Sequence, residues 1–296
     1  MSAEEIAFSG KKLNAPACML GEGPTYDPHT GTAWWFDIIG RKLFEYVLAT
    51  NDITVHDLPV MGSVLARVDD DRQVIATETG LHLRHRATGE MELVTPIEAD
   101  NAVTRSNDGR VHKSGALWVG TMGRNAEKDA GAIYHVARGK VTTLFPDITI
   151  PNAICFSPDG AIAYYTDTVT ARLMRVTIDP ATALPTGTPE VFYDHRGDAG
   201  GLDGAICDRD GNIWNARWSA GCVDGYSPGG KRFVSLKLPA GQTTCPAFVG
   251  EAADRLLVTS AREGLSDEAL AADPEAGSTF LLDHPVKGRF EPDYIL

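Results

Sequence analysis

Residues 156–167 read FSPDGAIAYYTD: an apolar residue, a Ser-Pro-Asp-Gly turn, then an alternating apolar and aromatic run that ends on Asp167. Pro, Asp and Gly are turn residues for separate reasons: a fixed φ, a side chain that bonds its own backbone, and freedom at positive φ. The run that follows has the composition and period of a strand. The phrase returns along the whole chain. It reads YDPHTGTAWWFD from Tyr26, VDDDRQVIATET from Val68 and VHKSGALWVGTM from Val111. It reads CDRDGNIWNARW from Cys207 and FVGEAADRLLVTS from Phe248. Successive starts lie 41 to 51 residues apart. A self-similar unit of ~40–50 residues with four short strands is the mark of a propeller blade. Six units predict an all-β fold, a six-bladed β-propeller around a central channel. A pair of β-sandwiches is the alternative. Residues 1–296 are expected to form a single domain, with the N-terminal segment completing the last blade. The one convincing helical stretch is Gly264–Asp273, an excursion on that blade.

The rest of the composition agrees. Thirty Gly and 17 Pro serve hairpin turns, and 43% hydrophobic residues over 296 positions suffice for a large core. The net charge of −13 argues against nucleic acid and anionic membrane surfaces as partners. Five cysteines, with no Cys-x-x-Cys pair, fit reduced buried thiols better than a disulfide framework or a thiolate zinc site. With no run of about 18 apolar residues and no leader-like start, the expectation is a cytoplasmic protein, monomeric or a small homo-oligomer.

Counting back four residues from each phrase start gives Glu22, Asn107, Asn152 and Asp203, with Val64 and Thr244 in the other two blades. This position opens the innermost strand, which lines the channel. Two carboxylates and two amides converging there are costly to bury unless a cation satisfies them. An oxygen-rich, thiolate-free set suits Ca²⁺, Mg²⁺ or Mn²⁺, with Zn²⁺ or Fe²⁺ possible where waters fill open positions. Arg105 stands two residues before Asn107, on the same strand face. Taken singly, each of these residues reads as a turn residue; the shared register is what singles them out.

Other motifs carry less. Gly225–Gly229 reads GYSPG, but the nucleophile elbow it resembles needs a strand-to-helix turn, and here another strand follows. His82 and His85 in LHLRHR lack zinc-site spacing and read as a strand face. The five tryptophans are expected between blades, with Trp218 a candidate for the channel entrance.

The phrases LGEGPTYD, RSNDGRVHKSGALWVGTM, PNAICFSPDG, GLDGAICDRDGNIW and VTSAREGLS occur in this order from about Leu20 onward. In them the chain resembles the senescence-marker-protein/gluconolactonase/regucalcin family of six-bladed propeller lactonases. The resemblance implies a divalent metal held by Glu22, Asn152 and Asp203, with Arg105 and Asn107 contacting substrate. It implies hydrolysis of a sugar lactone to the aldonic acid by a metal-activated water, with Asp203 as general base. The alternatives are an organophosphate or ester hydrolase on the same scaffold, a non-catalytic calcium-binding regulatory protein, and a propeller interaction scaffold. Two departures bear on substrate choice. His112 stands where family members usually carry an acid. Gly123-Arg124-Asn125 replaces a stretch that in some members carries sugar-contacting acids, with Glu127 arriving later.

Overall fold

Each of the six phrases forms a hairpin, and each hairpin supplies the first two strands of a four-stranded antiparallel blade. The coordinates are a computed structural model that describes residues 3–296. The turn at Ser157–Gly160 shows why the phrase works. Gly160 takes φ +71° and donates to the Ser157 carbonyl at 2.9 Å, and the Asp159 carboxylate accepts from Ser157 Oγ at 2.6 Å and from the Ala161 amide at 3.0 Å. Ser157 and Ile162 then resume the ladder.

The first strands of the blades are Gly21–Asp27, Gly62–Arg67, Thr104–Val111, Pro151–Phe156, Gly201–Cys207 and Thr243–Val249. Each touches the next, and the last touches the first, so they form a closed ring around a channel. This six-bladed propeller is the fold that the repeat predicts. Its closure is made by the N-terminal segment. Gly10–Lys12 is the outer strand of the sixth blade, paired with Phe280–Leu282, while Glu4–Ile6 runs parallel to Arg232–Lys237 as a fifth strand on blade five.

A blade buries both faces, because neighbours pack on each side. The alternation of side chains across a strand therefore yields six apolar clusters, one between each adjacent pair of blades. The Trp34–Trp35 pair demonstrates it: Trp34 packs towards blade two and Trp35 towards blade six. Burying one such side chain is worth about 2–3 kcal/mol.

One end of the channel is closed by the C-terminal segment. Val286 and Gly288 donate to Asp254 and Ala253, Tyr294 to the Arg67 carbonyl and Ile295 to Gly115. Arg289 donates to the Cys207 carbonyl at 3.0 Å and to that of Phe156, and Glu291 pairs with Arg110 inside the channel. Small voids of ≈ 30 Å³ and ≈ 20 Å³ remain against this segment.

The helix on blade six is shorter than the sequence suggests. It spans Asp267–Ala272, with Ser266 accepting from the Ala269 amide as its N-cap. Gly264 is too early to be helical, at φ +73°. Among the described residues no helix is long and apolar enough to cross a membrane.

Candidate active site in the channel

The other end of the channel opens into a cavity of ≈ 410 Å³. Glu22, Arg105, Asn107, Asn152 and Asp203 all line it, and all five are buried. What aims four of them inward, all but Arg105, is a bulge. In each blade the ladder between the first and second strands slips where the site residue stands: Glu22/Thr25, Ser106/Gly109, Asn152/Cys155 and Leu202/Ala205. A bulge inserts an unpaired residue, bends the strand and re-aims the side chain. The four residues do not hold one identical ladder position, however. Glu22 and Asn152 are the last paired residues before the slip, whereas Asn107 and Asp203 lie within it.

The backbone just ahead of two site residues is pinned by the aspartate that ends the neighbouring strand. Asp37 accepts from the Met19, Leu20 and Gly40 amides at 2.9–3.0 Å. Asp167 accepts from Thr149 and Ile150 at 3.0 Å. Gly23, at φ +54°, is needed for close approach: a Cβ there would collide with the Ser63 carbonyl of blade two. Ala153 takes φ +56° with its Cβ in place, a conformation that costs about 1–2 kcal/mol.

A polar chain runs across the floor of the cavity. Arg105 Nη1 donates to Asn107 Oδ1 at 2.8 Å, and Asn107 Nδ2 donates to Asn152 Oδ1 and the Pro151 carbonyl, each at 2.9 Å. Asn152 Nδ2 donates to Thr168 Oγ1 at 3.0 Å, and Thr168 to the Leu202 carbonyl at 2.8 Å. This fixes the amide of Asn152 with its oxygen on the Asn107 side, one lone pair still free. Both amide hydrogens of Asn107 are spent, so Asn107 offers a ligand only its oxygen.

The carboxylates are less well served. Glu22 accepts from the Gly23 amide at 2.8 Å and Asp203 from Gly204 at 3.0 Å. Beyond that the two acids face each other. Burial first, and the charge of Asp108 next, push the Glu22 carboxyl up to about 8. Burial, with Glu22 second, pushes Asp203 well above the ordinary carboxylate range. Burial lowers the Arg105 guanidinium, and the charge of Glu263 is the largest that opposes this. Two facing buried acids need a shared proton or a cation between them. Their free oxygens, together with the Asn152 oxygen, fit a hard or borderline divalent ion. Among the described residues no three of His, Cys, Asp and Glu gather as a metal group. All five cysteines are free and buried, and burial raises each thiol, so none offers a thiolate.

Several residues in or beside the cavity were not singled out from sequence. Asp108 lies in the bulge beside Asn107, where strict alternation would turn it away. It accepts from the Ile154 amide at 2.7 Å and from Gly109 at 2.8 Å, and burial pushes it up to about 6 against the pull of Arg110. Glu263 sits on a loop and Thr168 begins the short 3₁₀ helix Thr168–Thr170, both outside the repeat phrase. Trp218, the tryptophan expected at the channel entrance, lines the cavity, with Leu20, Met122 and Ile150 adding apolar wall. His112 is absent from the cavity: it is buried at the far end of its strand, bonded to Ser114 and the Gly160 carbonyl. Its departure from the family pattern therefore does not touch the site. Ser227 lies in the hairpin turn after Cys222–Tyr226, and His82 and His85 lie on the outer-blade strand Gly80–His85.

The family described as the SMP-30/Gluconolactonase/LRE-like region matches residues 20–262. The chain belongs to this family. A Rhizobium meliloti (strain 1021) protein with the provisional name sugar lactone lactonase is 57% identical over 98% of this chain and 99% of its own. The L-arabinolactonase of Azospirillum brasilense is 34% identical, covering 88% of this chain and 87% of its own. A crystal structure from Agrobacterium tumefaciens C58, described as a calcium-binding protein, regucalcin, superposes with TM-score 0.99 over 100% of both chains at 56% identity.

Proposed function

We propose that this protein hydrolyses a sugar lactone to the open aldonic acid in the channel cavity, with one divalent ion held by Glu22, Asn152 and Asp203. The observation that carries the reading is the pair of facing carboxylates beside the Asn152 oxygen, in a cavity that also holds Arg105. The names of the lactonase relatives support the substrate class, and the calcium-binding description of the 56% identical structure supports Ca²⁺ as the ion. When bound, the ion supplies Lewis acidity towards the lactone carbonyl and makes a water easier to deprotonate.

The side chains do the rest. Asp203 keeps one oxygen clear of Gly204, and that oxygen takes the proton of the attacking water. The water oxygen adds to the carbonyl carbon, the ring C–O bond breaks, and the ring oxygen recovers the proton from Asp203. Arg105 spends Nη1 on Ser106 and Asn107 and aims its other donors at the cavity, where they stabilise developing oxyanion charge. Asn107 is a positioning residue for Arg105 and Asn152. Trp218, Met122 and Ile150 give an apolar wall for the C–H face of a sugar ring and exclude water. Five buried free thiols support a reducing compartment, the cytoplasm.

The test is Asp203→Asn. Turnover should fall at least ~100-fold while the melting temperature in saturating Ca²⁺ stays close to wild type. Turnover like wild type would remove Asp203 from the chemistry.

A further inference from the structure

The stretch that follows Thr121-Met122 carries no free acid into the cavity. Arg124 lines the mouth, but its guanidinium is spent on Glu78, the Ala102 carbonyl and Met61 Sδ. Glu127 is folded back into its own turn, where it accepts from the Asn125 amide at 3.0 Å and from Asn125 Nδ2 at 2.9 Å. The mouth nevertheless has one carboxylate beyond the Glu22–Asp203 pair. Glu263, in the loop after Arg255–Ser260, lines the cavity and is only partly exposed.

Its backbone is held firmly. The Glu263 amide donates to the Met19 carbonyl at 2.9 Å, and Gln242 Nε2 donates to the Glu263 carbonyl at 3.0 Å. Its side chain makes no hydrogen bond and no ion pair with any described residue. A carboxylate on a fixed loop, lining a cavity with its acceptor capacity unspent, is an organised acceptor. Arg105 shares the cavity, with donors to spare. A donor and an acceptor on one cavity match two neighbouring hydroxyls, or a hydroxyl next to a carbonyl. A hydrogen bond to a charged group is also roughly twice as strong as a neutral one.

We propose that Glu263 is the specificity-determining residue of this site, accepting a hydrogen bond from a ring hydroxyl of a neutral polyhydroxylated lactone while Arg105 holds the neighbouring oxygen. This rests on the lactonase reading above. It also predicts selection against lactones that carry a carboxylate or sulfonate where that hydroxyl would be, because like charge on Glu263 would repel it.

The experiment separates binding from turnover. Aldonolactams, in which N–H replaces the ring oxygen, are poor substrates for hydrolysis and serve as probes. Calorimetry measures their affinity for the Ca²⁺-loaded wild type, Glu263→Gln and Glu263→Ala, alongside singly deoxygenated lactams. Glu263→Gln should weaken the full lactam ~10- to 100-fold, and one deoxy lactam should bind wild type and variant alike. On lactone substrates the same variant should raise KM with kcat little changed. Equal affinity of wild type and both variants overturns the assignment, as does a loss of the same size for every deoxy lactam, or a wild type that binds no lactam. A wild type that binds lactams through Glu263 yet opens no lactone with any ion would leave this assignment standing and sink the catalytic reading.

Discussion

At the residue scale, two buried acids face each other in the channel. In metal-free protein Glu22 holds its proton up to about pH 8, and Asp203 is raised in the same sense, burial being the first cause of both. A carboxyl whose folded pKa lies above its unfolded one adds stability at low pH and loses it as pH rises through the folded value. Chelated protein should therefore melt progressively lower from about pH 5 to about pH 8. Saturating Ca²⁺ should flatten that decline, since a cation takes over from the proton. Glu22→Gln should flatten it without metal. Scanning calorimetry at several pH values, with and without chelator, reads this directly; a chelated wild type with no slope across the window would contradict the picture of facing acids. Four of the cavity's polar side chains were legible in sequence because a repeat makes equivalents comparable, and Arg105 because it stands two residues before Asn107 on one strand face. Asp108, which does not line the cavity but bears on Glu22 and Asp203 by its charge, was not, since a bulge breaks the simple alternation of its strand. Glu263 was not, since the connection between the second and third strands differs in length and sequence from blade to blade and carries no repeat phrase.

At the scale of the element, the site depends on how the first strand of each blade is entered. Asp167 ends the phrase FSPDGAIAYYTD and reaches back to the two amides just ahead of Pro151 and Asn152. Asp167→Ala should leave both donors unsatisfied in a buried place and cost about 2–4 kcal/mol in urea unfolding. It should also weaken Ca²⁺ binding, because Asn152 loses its fixed backbone. A loss of stability with unchanged ion affinity would mean that the aspartate holds the blade and not the site. The bulges themselves explain a limit of sequence reading. The phrase counts residues, whereas the ladder slips one position earlier or later in different blades, so the register locates a site residue only to within one place. The helix of blade six shows the same effect of local geometry: a Gly at positive φ and a Ser cap set its start, and the periodicity of GLSDEALAAD alone could not.

For the whole molecule, the ring makes the cavity and the chain ends close it. Six units in sequence were enough to give the architecture, because each blade repeats one turn chemistry and one alternation of faces. The strap of residues 283–296 could not be read that way, for it belongs to no repeat. It brings Glu291 to Arg110, whose side chain is 8% exposed inside the channel. Glu291→Ala should leave that guanidinium buried without its acid and cost about 2–4 kcal/mol, less than a fully buried pair because Glu291 keeps some solvent. Denaturant melts of the variant check this, and stability equal to wild type would show that the strap contributes no electrostatic closure. The central claim is that the channel is a metal-loaded lactone hydrolase, and one assay reaches it most directly. Protein stripped with chelator is reloaded in turn with Ca²⁺, Mg²⁺, Mn²⁺, Zn²⁺ or Fe²⁺, and acid release is followed by indicator absorbance on five- and six-membered aldonolactones. The account predicts no turnover without metal and restored turnover on one or two neutral lactones. Acid release at the spontaneous rate with every ion and every lactone would contradict it.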